Sequence, residues 1–193
     1  MPTEIKKRNA GLVLGFVPLI VYGVLAAIPG IGIVTALAAA AVASVVFGYR
    51  DLRSRMLLSW ANLLLFGFLL LAIGGLGMGW IVPFNSVVVY GSLAAVSFGS
   101  IVTGRPFTLQ YAKQAIDRSF WESPVFIRAN VVITGAWTAV FLAGFILNVL
   151  VLTGPLPGFF IALLLSYGFI AAGILFTLWY PRHLRANQGM GRH

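Results

Sequence analysis

The chain has no cysteine, only two histidines, and four acidic residues against thirteen basic ones. Without cysteine there is no disulfide, no iron–sulfur cluster, no thiolate zinc site and no cysteine nucleophile. Both histidines, His183 and His193, lie beyond the last long apolar run, so a haem ligand inside a membrane span and a clustered His/carboxylate metal set are unsupported. Charge is scarce throughout: 9% of residues, against about 25% in soluble domains. The runs 9–49, 56–104 and 129–181 contain no Asp, Glu, Lys, Arg or His. Proton relays, ion-coupled pumps and voltage sensors need such groups in the membrane, and a retinal Schiff base needs a lysine there.

What is abundant is apolar surface: 60% of the 193 residues are hydrophobic and the mean hydropathy is +0.99. The charges fall into four clusters, Glu4–Arg8, Arg50–Arg55, Arg105–Arg128 and Arg182–Arg192. Each uncharged run between them has about twice the ~20 residues that one helix needs to cross a bilayer. Each is also broken near its middle by glycine and proline. The economical fold is a single all-α membrane domain, 1–193, of six transmembrane helices arranged as three hairpins. The expected spans are 10–28, 32–48, 57–74, 81–102, 125–152 and 159–180. All charge then lies on one face, and the positive-inside rule makes that face, with both termini, cytoplasmic at a bacterial inner (plasma) membrane. The net charge of +9 therefore sits at span ends, where it meets anionic lipid, and does not indicate nucleic acid. The N-terminus imitates a signal peptide, but its apolar run from Ala10 to Ile28 exceeds the usual 7–15-residue core, which favours an uncleaved first span.

Local signals refine this frame. Pro18 is expected to kink span 1, and Pro83 suits the first turn of span 4. Span 2 carries a small-residue face, Ala36, Ala40 and Ala43, fit either for the centre of the bundle or for docking another protein. Asp51 and Arg55 have the spacing of a pair on a solvated helix end. Segment 107–120 reads as an amphipathic helix in the cytoplasmic interface, with Leu109, Ala112, Ile116 and Phe120 on one face and Lys113 spaced to pair with Asp117. Ser123 reads as an N-cap before Pro124, and Pro181 as a helix stop after the aromatic pair Trp179 and Tyr180. A short echo, Tyr-Gly followed two residues later by Ala-Ala, occurs at Tyr22, Tyr90 and Tyr167. It marks either a repeat of hairpins 2 and 3 or the compositional bias of an Ala/Gly-rich chain.

Candidate functional residues are few. Asn62, Asn130, Thr134 and Trp137 are polar groups inside spans, where an amide must find a partner; they either tie helices together or line a pocket. Asn85 and Asn148 lie toward the outer side and suit an outward-facing site. Arg105, Lys113, Arg118 and Arg128 form a basic rim for lipid head groups or a protein partner.

The patch Arg105-Pro106-Phe107-Thr108-Leu109-Gln110, followed by Trp121, Arg128-Ala129-Asn130 and Trp137, resembles the intracellular septation protein A (YciB-like) group of small bacterial inner-membrane proteins. The resemblance covers roughly 100–140 and the general architecture; the Asn130-to-Trp137 spacing is about one helical turn longer than in that group. It implies a non-enzymatic role in envelope synthesis or division, through contact with other membrane proteins. Three functions follow for comparison. The first is an accessory or interaction subunit with no cofactor, whose partners are membrane lipids and another membrane protein or itself. The second is a small-molecule or lipid binding or transport subunit with a neutral polar pocket. The third, a lipid-modifying enzyme, would need acid–base groups from Asp51, Asp117, Glu122 and His183, which nothing in the sequence brings together.

Overall fold

The computed structural model describes residues 14–114, 116–154 and 159–189. The basic cluster 4–8, the start of the first span, Ala115, the turn 155–158 and the last four residues lie outside them. The described residues form helices and turns: α1 Val17–Ala27, α2 Ile33–Arg53, α3 Leu57–Leu70, α4 Asn85–Val102, α5 Phe107–Lys113, α6 Pro124–Leu152 and α7 Phe159–Gly189. Five segments are long and apolar enough to cross a membrane: Ile33–Arg53, Leu57–Gly75, Gly79–Val102, Pro124–Leu152 and Leu164–Leu184. Helices suit such sequences because hydrocarbon offers no partner to a free backbone N–H or C=O. Among the described residues the fold is all-helical, with the length and apolar composition of a membrane protein. α1, the described part of the expected first span, is shorter at eleven residues.

Helix ends depart from expectation in places. Span 1 is helical at 14–15, turns at Phe16 and resumes as α1, so its break lies beside Pro18, which sits in the first turn of α1 where its missing N–H leaves no bond unmade. α3 runs into a π-helical turn, Leu71–Gly75, in which the Leu76 N–H reaches back to the Leu71 carbonyl at 2.8 Å. Pro83 sits inside a 3-10 turn, Gly79–Phe84, and α4 starts only at Asn85. Ser123 does precede α6 with Pro124 in its first turn, but its side chain makes no capping bond. Pro181 is not a stop: α7 continues through it to Gly189. Proline's fixed φ is itself helical, and the bond it forgoes lies near the charged end, where water and head groups can serve the orphaned carbonyl.

The segment after α4 is the largest departure. Helix α5 has only seven residues and is followed by a 3-10 turn, Arg118–Phe120. Its buried residues are Phe107, Thr108 and Tyr111, while Phe120 is exposed. The segment is thus tucked into the bundle by its first turn, not laid flat on its Leu109–Phe120 face. Gly104, at φ +69°, makes the left-handed turn that redirects the chain after α4.

In the bundle, α2 packs beside α1 and α3, α4 against α6, α7 against α6, and α1 closes onto α7. Ala36, Ala40 and Ala43 are buried, while Val42, Val46 and Tyr49 on the far side of α2 are exposed. Span 2 therefore stands at the rim of the bundle, not at its centre, and its small face is consumed inside the chain, not presented for docking. The aromatic centre is Phe16, Trp137 and Phe141: Phe16 stacks on Trp137 at 4.0 Å between centroids, and Phe141 leans on Trp137 at 5.6 Å. Large apolar side chains such as Leu64, Phe68 and Leu164 face outward, as a lipid-bathed surface requires.

Candidate functional site

The bundle has two unlike ends. At the charged end, the loop between α2 and α3 meets the α5 segment. The Gln110 side chain reaches from α5 to accept the Leu57 N–H at 2.8 Å, satisfying a free donor in the first turn of α3. Ser59 on α3 lies 3.3 Å from the Tyr111 hydroxyl and donates to Asp51 at 3.5 Å. Asp51 is therefore turned inward and buried, not paired with Arg55 on a solvated end. Arg55 has left the helix, at φ +56°. Burial pushes the Tyr111 hydroxyl well above its usual pKa; the Ser59 bond opposes the shift and the nearby Asp51 adds to it. Tyr111 is consequently a neutral hydrogen-bonding group at any physiological pH.

Deeper at this end, polar side chains bond one another across α4, α5 and α6. The hydroxyls of Thr108 and Thr134 are 2.8 Å apart, and Thr108 also donates to the Asn130 carbonyl at 3.0 Å. Ser97 lies 2.8 Å from the Thr138 hydroxyl, and Ser100 accepts the Phe107 N–H at 3.1 Å. The Asn130 amide returns to the Phe126 carbonyl of its own helix. Asn62 donates to the Gly15 carbonyl at 2.7 Å, and its own amide oxygen is buried with no hydrogen-bond partner among the described residues. Trp137 donates to the Thr177 hydroxyl at 3.0 Å, joining α6 to α7. Thr134, Asn130 and Trp137 tie helices together.

The basic rim is divided. Lys113 and Arg118 lie over the same Trp121 ring, 5.1 and 5.5 Å from its centroid. Trp121 in turn donates to the Ile116 carbonyl at 3.1 Å, which fixes the ring. Asp117 caps the 3-10 turn by accepting the Ser119 N–H at 3.0 Å, and that bond lowers its pKa from the ordinary carboxylate value. Arg105 and Arg128 are exposed, and neither is placed over the Trp121 ring.

At the uncharged end lies a cavity of about 100 Å³, walled by α1, the start of α2, the start of α4, the end of α6 and the start of α7. Its polar lining comes from Tyr22, Asn85, Ser86, Tyr90, Asn148, Ser166 and Tyr167, with no charged group among its lining residues. Tyr22 donates its hydroxyl to the Asn85 amide oxygen. Asn148 donates to the Gly144 carbonyl at 2.8 Å within α6. The Tyr167 hydroxyl points to the Ile20 carbonyl at 3.5 Å. Ser166 is 3% exposed, and its hydroxyl has that of Tyr90 as its hydrogen-bonding neighbour and no other partner among the described residues. Two close approaches shape the walls: a side chain at Gly23 would collide with the Tyr167 hydroxyl, and one at Gly144 would come within 2.5 Å of the Tyr90 ring.

Asn85 and Asn148 both belong to this lining, whereas Asn62, Asn130, Thr134 and Trp137 do not. Ser166 is one of the neutral polar groups that the sequence places inside the spans, together with Thr138, Ser97 and Ser100; sequence reasoning missed Tyr22, Tyr90 and Tyr167 as site residues. The signal available was the Tyr-Gly echo: its three tyrosines, from three different helices, meet at one cavity. Among the described residues no group of three or more His, Asp or Glu is placed to hold a metal ion. Comparison of the chain with protein-family models, curated proteins and solved structures gives no match.

Proposed function

We propose that this chain is a six-span protein of the bacterial plasma membrane, with both termini in the cytoplasm, that works by non-covalent binding and not by catalysis. Its ligand-binding element is the uncharged cavity, which this topology turns outward. The observation that carries the reading is the convergence there of Tyr22, Tyr90, Asn148, Ser166 and Tyr167 from four helices around open space: a largely apolar wall with a few polar groups set into it, as small-molecule sites have.

A second reading is the accessory subunit acting by contact with another membrane protein, itself, or anionic lipid, in line with the resemblance to the septation group. The ring-clamped pair Lys113 and Arg118 supports it, because cations held on an interfacial tryptophan present fixed charge at head-group depth.

Native mass spectrometry of the chain, extracted in mild detergent from its own membrane, separates the two. A small molecule retained by the wild type but not by Ser166→Leu supports binding. A stoichiometric protein partner with no retained ligand supports the accessory role. The topology is tested by reporter fusions: those after Gly30 and Gly77 are expected on the outer side, and those after Arg53, Gln114 and Arg185 in the cytoplasm. One inverted site among them breaks the six-span arrangement.

A further inference from the structure

We infer that the cavity at the uncharged end takes a neutral, glycerol-sized polyol group, bound through its hydroxyl donors. The inference rests on the binding reading above and adds the ligand's chemistry. Size sets the first limit. At about 100 Å³ the cavity is somewhat smaller than the cavities of about 150 Å³ that take up benzene, which suits a molecule the size of a three-carbon polyol and is far too small for a nucleotide. Charge sets the second. No acid or base lines the cavity, so an ammonium or phosphate would enter with no countercharge, and burying an unpaired ion is far costlier than burying a hydroxyl.

The hydrogen-bond inventory sets the third limit. The lining's donors are largely committed: Tyr22 to Asn85, Asn85 to the Val82 carbonyl, Asn148 to Gly144, and Tyr167 toward Ile20. The Asn85 carbonyl is also taken, by Tyr22 and Ser86, but the phenols keep oxygen lone pairs and Asn148, having donated from nitrogen, keeps its carbonyl. The phenol oxygens and the Asn148 carbonyl are the groups left to accept, and their natural complement is a molecule carrying O–H groups. Ser166 is the adaptable member, since its hydroxyl, beside that of Tyr90, can donate or accept. The tyrosine faces add apolar walls on which the C–H edges of a polyol can rest.

Two sources supply this chemistry: free glycerol, and the terminal glycerol of a phosphatidylglycerol head group. The test uses the full chain in nanodiscs made only of phosphatidylcholine. ¹³C-glycerol is added, and saturation-transfer NMR reads its binding. Parallel discs containing phosphatidylglycerol are analysed by native mass spectrometry. Expected is a glycerol signal in the wild type that is weaker by about tenfold in affinity in Tyr167→Phe and absent in Ser166→Leu, which fills the space. Glycerol binding without preferential retention of phosphatidylglycerol assigns a free solute. Retention that Ser166→Leu abolishes assigns the lipid head. If Ser166→Leu does not elute as a single species, Asn148→Leu blocks the same cavity from another helix. Equal glycerol signal and equal lipid retention in wild type and blocked variants overturn the inference. A retained molecule that is charged or lacks hydroxyls, and that the blocked variants release, overturns the polyol assignment while leaving the binding reading intact. No cavity-dependent ligand of any kind removes both.

Discussion

The two ends of this bundle draw on the same palette of serine, threonine, asparagine and tyrosine and use it in opposite ways. At the charged end Thr108, Thr134, Ser97 and Thr138 close on one another across three helices, and Gln110 satisfies the start of α3. At the uncharged end Tyr22, Tyr90, Tyr167, Asn148 and Ser166 surround space. The difference lies in what fills the gaps. The charged end has an extra element, α5, whose buried turn inserts Phe107, Thr108 and Tyr111 into the bundle. The other end has no such plug among its described residues.

The comparison can be broken by substitution. The largest effect is expected at the centre that both ends share. Trp137→Ala removes the ring between Phe16 and Phe141 together with the bond to Thr177, and should cost about 3 kcal/mol, read as a large fall in thermal midpoint in detergent. Next is Ala40→Leu. If α2 is packed through its small face, overpacking there should cost about 1–3 kcal/mol, while Val46→Leu on the exposed side should change little. An unaffected Ala40→Leu would free that face for a partner after all.

The sharpest contrast is one of size. Thr134→Val keeps the side-chain shape but removes the bond between α5 and α6 to the Thr108 hydroxyl, which keeps its bond to the Asn130 carbonyl, for an expected loss of roughly 1 kcal/mol. Ser166→Ala removes a hydroxyl that meets only that of Tyr90 among the described residues, so the ligand-free protein should lose less than Thr134→Val does. Thermal unfolding of both variants, freed of lipid and solute, checks this. Equal destabilisation would mean that the two ends are built alike.

A pH effect follows from Tyr111. Its pKa is raised in the fold relative to an unfolded value near 10, so the stability it confers is fully present below pH ~10 and falls as pH rises beyond that value. Tyr111→Phe should flatten the alkaline limb of the stability profile. The smallest effect belongs to the surface. Lys113→Gln removes one cation from Trp121 and should cost no more than ~1 kcal/mol in stability, with a measurable loss of binding to anionic vesicles.

Much of the fold was legible because hydrophobic runs and their glycine–proline breaks follow directly from the cost of bare backbone in lipid. Helices α2, α3, α4 and α6 lie close to where those runs place them. The ends were less legible for a definite reason. Proline at 18, 83 and 181 is compatible with a helix start, a 3-10 turn or a continuing helix, and neighbours decide which. The α5 segment misled because its apolar spacing was read as a face for lipid, whereas Phe107 and Tyr111 found a deeper berth in the bundle. Asp51 looked solvated because sequence does not reveal that Ser59 and Tyr111 fold over it. The cavity was the least legible part, since it depends on where three tyrosines from distant helices converge and on the space that they leave. Asn85 and Asn148 could be placed at the correct end by position alone, while Ser166 was one neutral polar group in a span among several.

The most direct test of the contrast between a filled end and a hollow one takes advantage of the chain's lack of cysteine. Single-cysteine variants Ser86→Cys, in the cavity lining, and Thr134→Cys, in the sealed cluster, would be exposed in intact membranes to a small methanethiosulfonate reagent. The structure leads to rapid labelling of Ser86→Cys, slowed in Ser86→Cys/Ser166→Leu where the space is filled, and to no labelling of Thr134→Cys until the protein is unfolded. Equal reactivity at the two positions would contradict the account.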